Sequence, residues 1–366
     1  MPLVSKLRSK GVKVPQQPKE PVWQGPEKDG VTQSLLWRFL NCRERFRLLV
    51  VKGLKTADQF NQRLEFGNMW HLCEEAHADN LSYDEPLRKY TQTLCQRYKF
   101  QQEQVNHWYE VCRVTFPIYV DYWAKHRDVK HREPIFQEEK FAVPYKLPSG
   151  RTVTLRGKFD SVDVIGTGKG RAIYLQENKT KGDINEQQIK SQLTFDLQTM
   201  QYLIALRGTG GLPKIPIAGV RYNVIRRPLS GGKNTIRQHQ PSKSNPDGES
   251  KEAFYNRLAG LIKAEPEFYF MRWKVEVSKD DYARFEQRCF IPILEQLCDW
   301  WEWVIAVPNE PWRIHADTGA PGPHWQHPYG GYNVLNEGGA TDLDEHLMNG
   351  SEMGLQRVDN LFPELT

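Results

Sequence analysis

Three residues near the middle of the chain combine two carboxylates with an ammonium group. Glu177 and Lys179 are two positions apart in YLQENKT, a segment that is predicted as a β-strand. Because side chains alternate between the two faces of a strand, both point to one face and Asn178 points to the other. Asp160 lies on the preceding strand, and antiparallel pairing would bring its carboxylate opposite Glu177. The pattern predicts two acids and a lysine in one small site.

These residue types suit the hydrolysis of a phosphodiester. Carboxylates hold a hard divalent ion, which polarises a phosphoryl oxygen and lowers the pKa of a bound water molecule. A lysine beside that water can orient it, deprotonate it, or stabilise the charge that develops in the transition state, and the spacing leaves these roles open. The same E-x-K spacing also occurs in ordinary ion pairs on a sheet face. The surrounding elements therefore decide how far the chemical interpretation can be taken.

Strands and a helix are predicted around the three residues, which makes the fold class α/β. Alternating apolar positions predict antiparallel strands over FQEEKFAVPYKL, RTVTLRGKFDSVDVI and RAIYLQENKT, with turns at PSG and GTGKG. The segment INEQQIKSQLTFDLQTMQYLIALR has helical periodicity and ends at Gly208 and Gly210. A fourth strand is predicted over IAGVRYNVIRR. The core order is therefore three strands, a helix and a further strand.

Helices precede this core, and mixed elements follow it. A short amphipathic helix begins after Thr32, a second covers LEFGNMWHLCEEAH, and a long one runs from Glu85 to about Arg127. The polar segment 229–250 is predicted to be a mobile loop. Three further elements complete the prediction: a helix near Lys251–Ala264, a strand through FYFMRWKVEV and a helix from about Asp280 to Val304.

Composition and charge describe a globular protein that is able to bind a polyanion. The net charge of +5 permits contact with nucleic acid but is too small to predict it alone. The six cysteines include no C-x-x-C pair, so the sequence signals neither a zinc site nor a disulfide framework. No window approaches the roughly 18 apolar residues of a membrane span, and no secretory signal is visible. A cytoplasmic protein without a membrane partner is expected.

Several short motifs resemble the signature of RecB-like PD-(D/E)XK nucleases, including phage-encoded members and the nucleases of CRISPR adaptation. That signature combines G-x-x-D, D/E-x-K and Q-x-x-x-Y, found here at Gly157–Asp160, Glu177–Lys179 and Gln198–Tyr202. The segment SLLWRFLNCRERF approximates an N-terminal family pattern, and Gly67–His71 matches its helical G-x-x-x-H. The resemblance covers roughly residues 32–228. It implies a restriction-endonuclease-like core with a helical N-terminal cap and a C-terminal elaboration.

The resemblance also implies a metal centre. Its ligands would be His71, Asp160, Glu177 and the backbone carbonyl of Asn178. Asp160, Glu177 and Lys179 would be the catalytic residues. Mg²⁺ or Mn²⁺ is the expected cofactor. Carboxylate oxygens suit Mg²⁺, and the imidazole ligand makes Mn²⁺ an alternative, because nitrogen donors suit the later transition metals better.

Five further residues are expected to support this site or to contact DNA. Gln198 and Tyr202 are one helical turn apart, and the resemblance places both against the active site. Asp163 is expected to be a structural carboxylate or one that supports the ligands. Arg156 and Lys181 are expected to contact phosphates.

An iron–sulfur cluster, which some of these relatives carry, is not expected here. Such a cluster uses one N-terminal cysteine and three near the C-terminus. Cys42 stands at the first position, but residues 306–366 contain no cysteine. The divalent ion is therefore the only cofactor predicted.

The predicted organisation has six segments, of which the first is a disordered basic arm. In chain order they are the arm (1–31), a helical cap carrying His71 (32–130), the nuclease core (131–228), the mobile loop (229–250), a helix–strand–helix segment that completes the domain (251–305) and an irregular tail (306–366). The arm contains several lysines and prolines and could contact phosphates, but a solvated tail is the commoner explanation of such a segment.

The implied function is a divalent-metal-dependent deoxyribonuclease, acting as an exonuclease on double-stranded DNA ends in phage recombination or replication. A single-strand annealing or recombination protein would be its partner, and the host cytoplasm its location. Two alternatives remain open at this stage. One is a structure- or sequence-specific endonuclease, of the restriction or junction-resolving kind, on the same core. The other is a DNA-binding recombination partner without catalytic activity.

Overall fold

The chain folds into two compact units. A computed structural model describes residues 21–41, 43–56, 60–126, 131–185, 187, 196–228, 236–243, 246–306 and 355–358. The smaller unit is drawn from 1–57, 142–157 and 287–366, and the larger from 58–141 and 158–286. Cys42, the start of the basic arm, and most of the predicted tail lie outside the described residues.

Helices dominate the first third of the described chain and a sheet the middle. The first elements are α1 (Gln33–Asn41), α2 (Arg43–Phe46), a π-helical turn (Arg47–Val51), β1 (Leu54–Thr56), α3 (Gln62–Ala78), α4 (Asp84–Arg97), α5 (Gln102–Ala124), β2 (Arg132–Lys146), β3 (Thr152–Ile165), a 3-10 turn (Gly168–Gly170) and β4 (Ala172–Lys181). The later elements are α6 (Leu197–Gly208), β5 (Ile217–Arg226), α7 (Lys251–Ala264), α8 (Pro266–Tyr269), β6 (Phe270–Glu276), α9 (Lys279–Phe285), a π-helical turn (Glu286–Phe290), α10 (Ile291–Ala306) and β7 (Leu355–Arg357).

A five-stranded mixed sheet has the order β2-β3-β4-β5-β6. β3 pairs antiparallel with β4, β4 parallel with β5, and β5 antiparallel with β6. The parallel step is made by the connection that contains α6, as a parallel pair requires. The predicted α/β class and the predicted order of strands, helix and strand are confirmed.

Helix α3 contains His71, one of the predicted site residues, and packs next to the sheet. It begins at Asn61, whose side chain accepts hydrogen bonds from the backbone N–H groups of Arg63 and Leu64. Apolar residues at helical spacing, among them Phe66 and Trp70, are buried in the aromatic core that α3 shares with α4, α5 and α7. A Cβ atom at Gly67 would lie 3.5 Å from the Thr180 hydroxyl, so the helix and β4 approach closely there. This close approach places the N-terminal half of α3 next to β4.

The prediction of one long helix from Glu85 to about Arg127 is wrong. The chain leaves the helical conformation at Tyr98, where φ is −108° and ψ is 64°, and α5 begins at Gln102. The hydroxyl of Tyr98 donates to Glu65 Oε1 at 2.8 Å in a buried position. Burial of this tertiary hydrogen bond outweighs the helical periodicity of the local sequence.

The helix that was predicted to begin at Ile184 is interrupted at Asp196. Asp196 has an extended conformation, with φ −60° and ψ 131°, and its side chain caps α6 by accepting from the backbone N–H of Thr199. A continuous helix through Asp196 is therefore excluded. Residues 186 and 188–195 lie outside the described part of the chain.

The smaller unit folds part of what was predicted to be a disordered arm. Trp23 is 2% exposed, packs edge-on against Phe46 and Trp301, and donates its indole N–H to the carbonyl of Gly30. Burial of this large ring orders residues 21–31, which the polar composition of the arm did not predict. β7 pairs antiparallel with β1, so the tail is not irregular throughout. None of the helices in the described part of the chain is long and apolar enough to cross a membrane.

Candidate metal centre and active site

An imidazole and two carboxylates from three elements meet in the larger unit. His71 of α3, Glu138 of β2 and Asp160 of β3 each offer one ligand atom, and these atoms lie within 4.8 Å of one another. His71 Nδ1 is 3.8 Å from Asp160 Oδ1. Oxygen donors with one nitrogen donor suit Mg²⁺ or Mn²⁺, and the short mutual distances permit a shared ion.

A second group beside this cluster joins β4 to the first turn of α6. Lys179 Nζ donates to Glu177 Oε1 at 2.7 Å and to Gln198 Oε1 at 2.6 Å. Gln198 Nε2 also donates to Glu177 Oε1, at 2.5 Å. The other carboxylate oxygen, Glu177 Oε2, is buried and accepts no hydrogen bond within the described part of the chain. A buried carboxylate oxygen without a hydrogen-bond donor is a candidate ligand for a cation.

Strand pairing relates the two groups. Ser161 of β3 is paired with Gln176 of β4, so Asp160 and Glu177 are the next positions along the ladder. The backbone N–H of Asn178 donates to Asp160 Oδ2 at 2.7 Å. This hydrogen bond fixes one oxygen of Asp160, while Asp160 Oδ1 faces His71. The group within 4.8 Å contains Glu138 and not Glu177, although Glu177 was the expected ligand.

Glu138 is a candidate ligand that sequence reasoning missed. Its side chain is 7% exposed and pairs with Lys158 Nζ at 2.7 Å. Its φ of 50° is one of two positive values among the described non-glycine residues, and such backbone is concentrated at functional sites. The only signal in the sequence was the acidic pair Glu138 and Glu139 within a predicted strand. That pair has no fixed spacing to Asp160, because strand pairing alone brings them together.

Burial shifts the proton affinities of the cluster. It raises the pKa of Asp160 to about 6 and that of Glu177 to about 7. Burial, followed by the charge of Asp160, raises the pKa of Glu138 to about 8. Burial lowers the pKa of His71, so its imidazole is neutral and able to bind a metal at pH 7. Three buried acids with raised pKa values favour the binding of a cation that would offset their charge.

The remaining predicted site residues fall into different surroundings. The Tyr202 ring is buried edge-on against Phe141 and Phe159, so it packs below Gln198 rather than facing solvent. Lys181 lies at the exposed end of β4. Partial burial of its ammonium group, followed by the like charges of Lys179 and Arg227, lowers its pKa.

Asp163 and Arg156 are not among the clustered ligand atoms. Asp163 is fully buried and accepts from Arg221 Nη2 and Ser161 Oγ, each at 2.8 Å. Arg156 belongs to the smaller unit, where its side chain lies next to Gly30. The larger unit therefore holds every predicted site residue except Arg156.

Asn178 points away from Glu177 and Lys179, as strand alternation predicted. Its Oδ1 accepts from Gln176 Nε2 at 3.2 Å and from Asn223 Nδ2 at 2.8 Å, both buried. These bonds satisfy the amide on the opposite face of β4 and hold the strand in register beneath the site. The role of the Asn178 carbonyl as a ligand stays a prediction.

Comparison with known families identifies the class of the protein. A sequence model of the PD-(D/E)XK nuclease superfamily matches residues 31–289, which is more than half of the chain. The chain therefore belongs to the PD-(D/E)XK nuclease superfamily, whose members are metal-dependent nucleases. No curated protein matches the chain. The matched range contains both the acid cluster and the Glu177–Lys179 pair.

Metal is expected to stabilise the protein more at pH 8 than at pH 6. The folded-state pKa values of the three acids are raised, so protonation favours the folded state, and this contribution is lost as pH rises through about 6 to 8. A divalent ion would offset the resulting repulsion. Thermal melts with Mn²⁺ and with a chelator should differ by several degrees more at pH 8. Equal differences at both pH values would contradict an ion at these acids.

Replacing Glu138 with glutamine is expected to weaken Mn²⁺ binding about tenfold or more. The amide keeps the shape of the side chain but removes a negative charge from the cluster, within the range usual for groups around a metal. Titration calorimetry measures this change. Glu139→Gln is the matched control, because Glu139 is the exposed neighbour on the same strand. Equal Mn²⁺ affinity in the two variants would exclude Glu138 as a ligand.

Proposed function

We propose that the protein is a DNA exonuclease that hydrolyses phosphodiesters at double-stranded ends with Mg²⁺ or Mn²⁺. The observation that carries this proposal is the Lys179 ammonium held against Glu177 next to the cluster of His71, Glu138 and Asp160. An acid cluster alone is common on proteins. A half-buried lysine beside a metal-competent cluster is a combination that suits phosphodiester hydrolysis.

Different side chains have different roles in the proposed reaction. His71, Glu138, Asp160 and the unoccupied oxygen of Glu177 would hold the ion, which supplies Lewis acidity and an acidified water. Burial lowers and the Glu177 carboxylate raises the pKa of Lys179, and the net shift is upward. Lys179 is therefore protonated at neutral pH. This charge favours stabilisation of the pentavalent phosphate over proton abstraction, two roles that the spacing alone left open.

Gln198 positions Lys179. It accepts from the ammonium through Oε1 and donates to Glu177 through Nε2, so its amide links both partners of the ion pair. Asp196 caps α6 two residues earlier and anchors the first turn from which Gln198 projects. The Q-x-x-x-Y motif then has a physical basis, because Gln198 fixes the lysine and Tyr202 packs the helix onto the sheet.

Exonuclease action and a role in phage recombination rest on the RecB-like motifs. Gly157–Asp160, Glu177–Lys179 and Gln198–Tyr202 occur in the order of that group. In this proposal the protein works with a single-strand annealing or recombination protein in the host cytoplasm. Copurification with a coexpressed annealing protein from the same genome tests that partnership.

A time course on linear duplexes labelled at either the 5′ or the 3′ end tests the proposed activity. Divalent-dependent loss of label from one end, with shortening from that end, is the expected result and gives the polarity. Covalently closed plasmid should resist. Plasmid cut as readily as linear DNA would replace the exonuclease with an endonuclease. Salt-sensitive DNA binding without cleavage under any divalent ion would favour a non-catalytic binding protein.

A further inference from the structure

A cavity of about 240 Å³ adjoins the acid cluster within the larger unit. Glu138 and Asp160 form part of its wall, whereas Lys179, Gln198 and Tyr202 do not. The cavity therefore opens from the cluster on a side that the lysine does not occupy. Its remaining walls come from α3, α5, β2 and β6 and from the adjoining positions of β3 and β4.

The unusual backbone of β2 points an amide into this cavity. Side chains of consecutive strand residues normally face opposite sides, yet Gln137 and Glu138 both line the cavity. The positive φ of Glu138 accounts for this departure from alternation. The Gln137 side chain, on β2, has no hydrogen-bond partner within the described part of the chain, and its amide offers both a donor and an acceptor. A polar group that can pair with either kind of partner thus stands beside a candidate metal ligand.

The opposite wall contains a buried donor on an aromatic surface. Trp123 is 7% exposed, and its indole N–H donates to no atom in the described part of the chain. The Arg272 guanidinium lies 3.7 Å from the centre of the Trp123 ring, and Tyr119 lines the same wall. Buried donors usually have an acceptor, so this N–H is a candidate partner for a ligand that enters beside the Trp123 ring.

The wall chemistry selects among ligands. Glu74, Glu138 and Asp160 line the cavity together with Arg132 and Arg272. Arg132 is paired with Asp163 and the Arg272 guanidinium lies on the Trp123 ring, so the three acids disfavour a lone phosphate. Flat aromatic and guanidinium surfaces stack on nucleobases, and an amide with an indole N–H can pair with a base edge. A cavity of about 240 Å³ has room for a group of the size of a single base.

We propose that this cavity takes the base of one unpaired nucleotide whose phosphate lies at the acid cluster. The inference rests on the proposed nuclease function for the position of that phosphate. Because a base in a duplex is stacked and paired, it has to leave the helix before it can enter. The enzyme then acts preferentially on ends whose last base pair is open, and Trp123 and Gln137 determine this preference.

Equilibrium binding without cleavage tests the proposal. Fluorescence anisotropy, with Ca²⁺ replacing Mg²⁺, compares a duplex with a mismatched terminal pair, the matched duplex, and a duplex whose terminal nucleotides lack their bases. The wild type is expected to bind the mismatched end about tenfold more tightly than the matched end. The abasic end should lose this advantage. Trp123→Phe removes the donor and keeps a ring, and Gln137→Ala removes the amide. Each is expected to reduce the preference by about fivefold.

Controls and separate readouts keep the two proposals apart. Trp37→Phe and Gln92→Ala change exposed residues and should retain the wild-type preference. The inference is overturned if Trp123→Phe and Gln137→Ala both keep that preference while folded, or if abasic ends bind as well as mismatched ends. It is also overturned if a terminal phosphate alone sets the affinity. Absence of cleavage with the binding preference intact would refute the nuclease and leave the base-binding cavity standing.

Discussion

Lys179→Ala is expected to lower the single-turnover rate of DNA cleavage by about 10³-fold, at saturating Mg²⁺. The substitution removes the only ammonium group that the structure holds against Glu177 among the described residues. Loss of one positioned group that stabilises transition-state charge typically costs 10²- to 10³-fold, and loss of a proton-transfer role costs a similar factor. End-labelled linear duplex in enzyme excess isolates this step from product release.

Two further variants make this result interpretable. Lys140→Ala removes an exposed lysine from β2 and should leave the rate within about twofold of the wild type. Lys179→Arg keeps the charge but changes the geometry, and partial recovery of the rate would support a charge-stabilising role over proton abstraction. Mn²⁺ affinity should persist in Lys179→Ala, because this variant keeps all of the candidate metal ligands. A Lys179→Ala rate within tenfold of the wild type would exclude a direct role for the lysine.

The central hairpin of this site could be predicted from the sequence because its geometry is local. Period-2 alternation placed Glu177 and Lys179 on one face, and their charged atoms are 2.7 Å apart. Antiparallel pairing of β3 with β4 placed Asp160 next to Glu177 along the ladder. Both inferences need only strand geometry and the short turn between the strands.

Glu138 could not be predicted because its position depends on a backbone irregularity and on distant pairing. A regular β2 strand would turn Gln137 and Glu138 to opposite faces, and residues 136–140 contain no glycine or proline that would mark the positive φ of Glu138. The break at Tyr98 has a similar cause. Its buried hydrogen bond to Glu65 joins residues 33 positions apart, which local periodicity cannot reveal.

Arg156 shows that one motif can lie at the boundary between the two units. It directly precedes Gly157 in the G-x-x-D motif, and a phosphate contact by its side chain stays a prediction. Its backbone N–H donates to the carbonyl of Val31 at 2.9 Å, within the smaller unit. A strand of 14 residues is long enough to belong to both units, so neighbouring residues on it serve different surroundings.

Asp163→Ala is expected to lower the free energy of unfolding by about 3–5 kcal/mol, the cost of leaving a buried charge unpaired. Arg221 is 1% exposed and Asp163 is fully buried, with 2.8 Å between the guanidinium and the carboxylate. Arg132 Nε lies 2.8 Å from the same carboxylate. Removing Asp163 therefore strands two guanidinium groups beneath the sheet. Chemical denaturation followed by tryptophan fluorescence measures the loss.

The double variant Asp163→Leu with Arg221→Met distinguishes a structural role from a metal-binding one. It removes the two fully buried charges and leaves unpaired only Arg132, which is partly exposed. Its unfolding free energy should therefore exceed that of Asp163→Ala, even though Gln176 also loses its bond from Arg221. Asp121→Ala, on the exposed face of α5, should change stability by no more than about 0.5 kcal/mol. If Asp163 were instead a ligand, Asp163→Ala would weaken Mn²⁺ binding with little loss of stability, because the charge it balances would be the ion rather than Arg221.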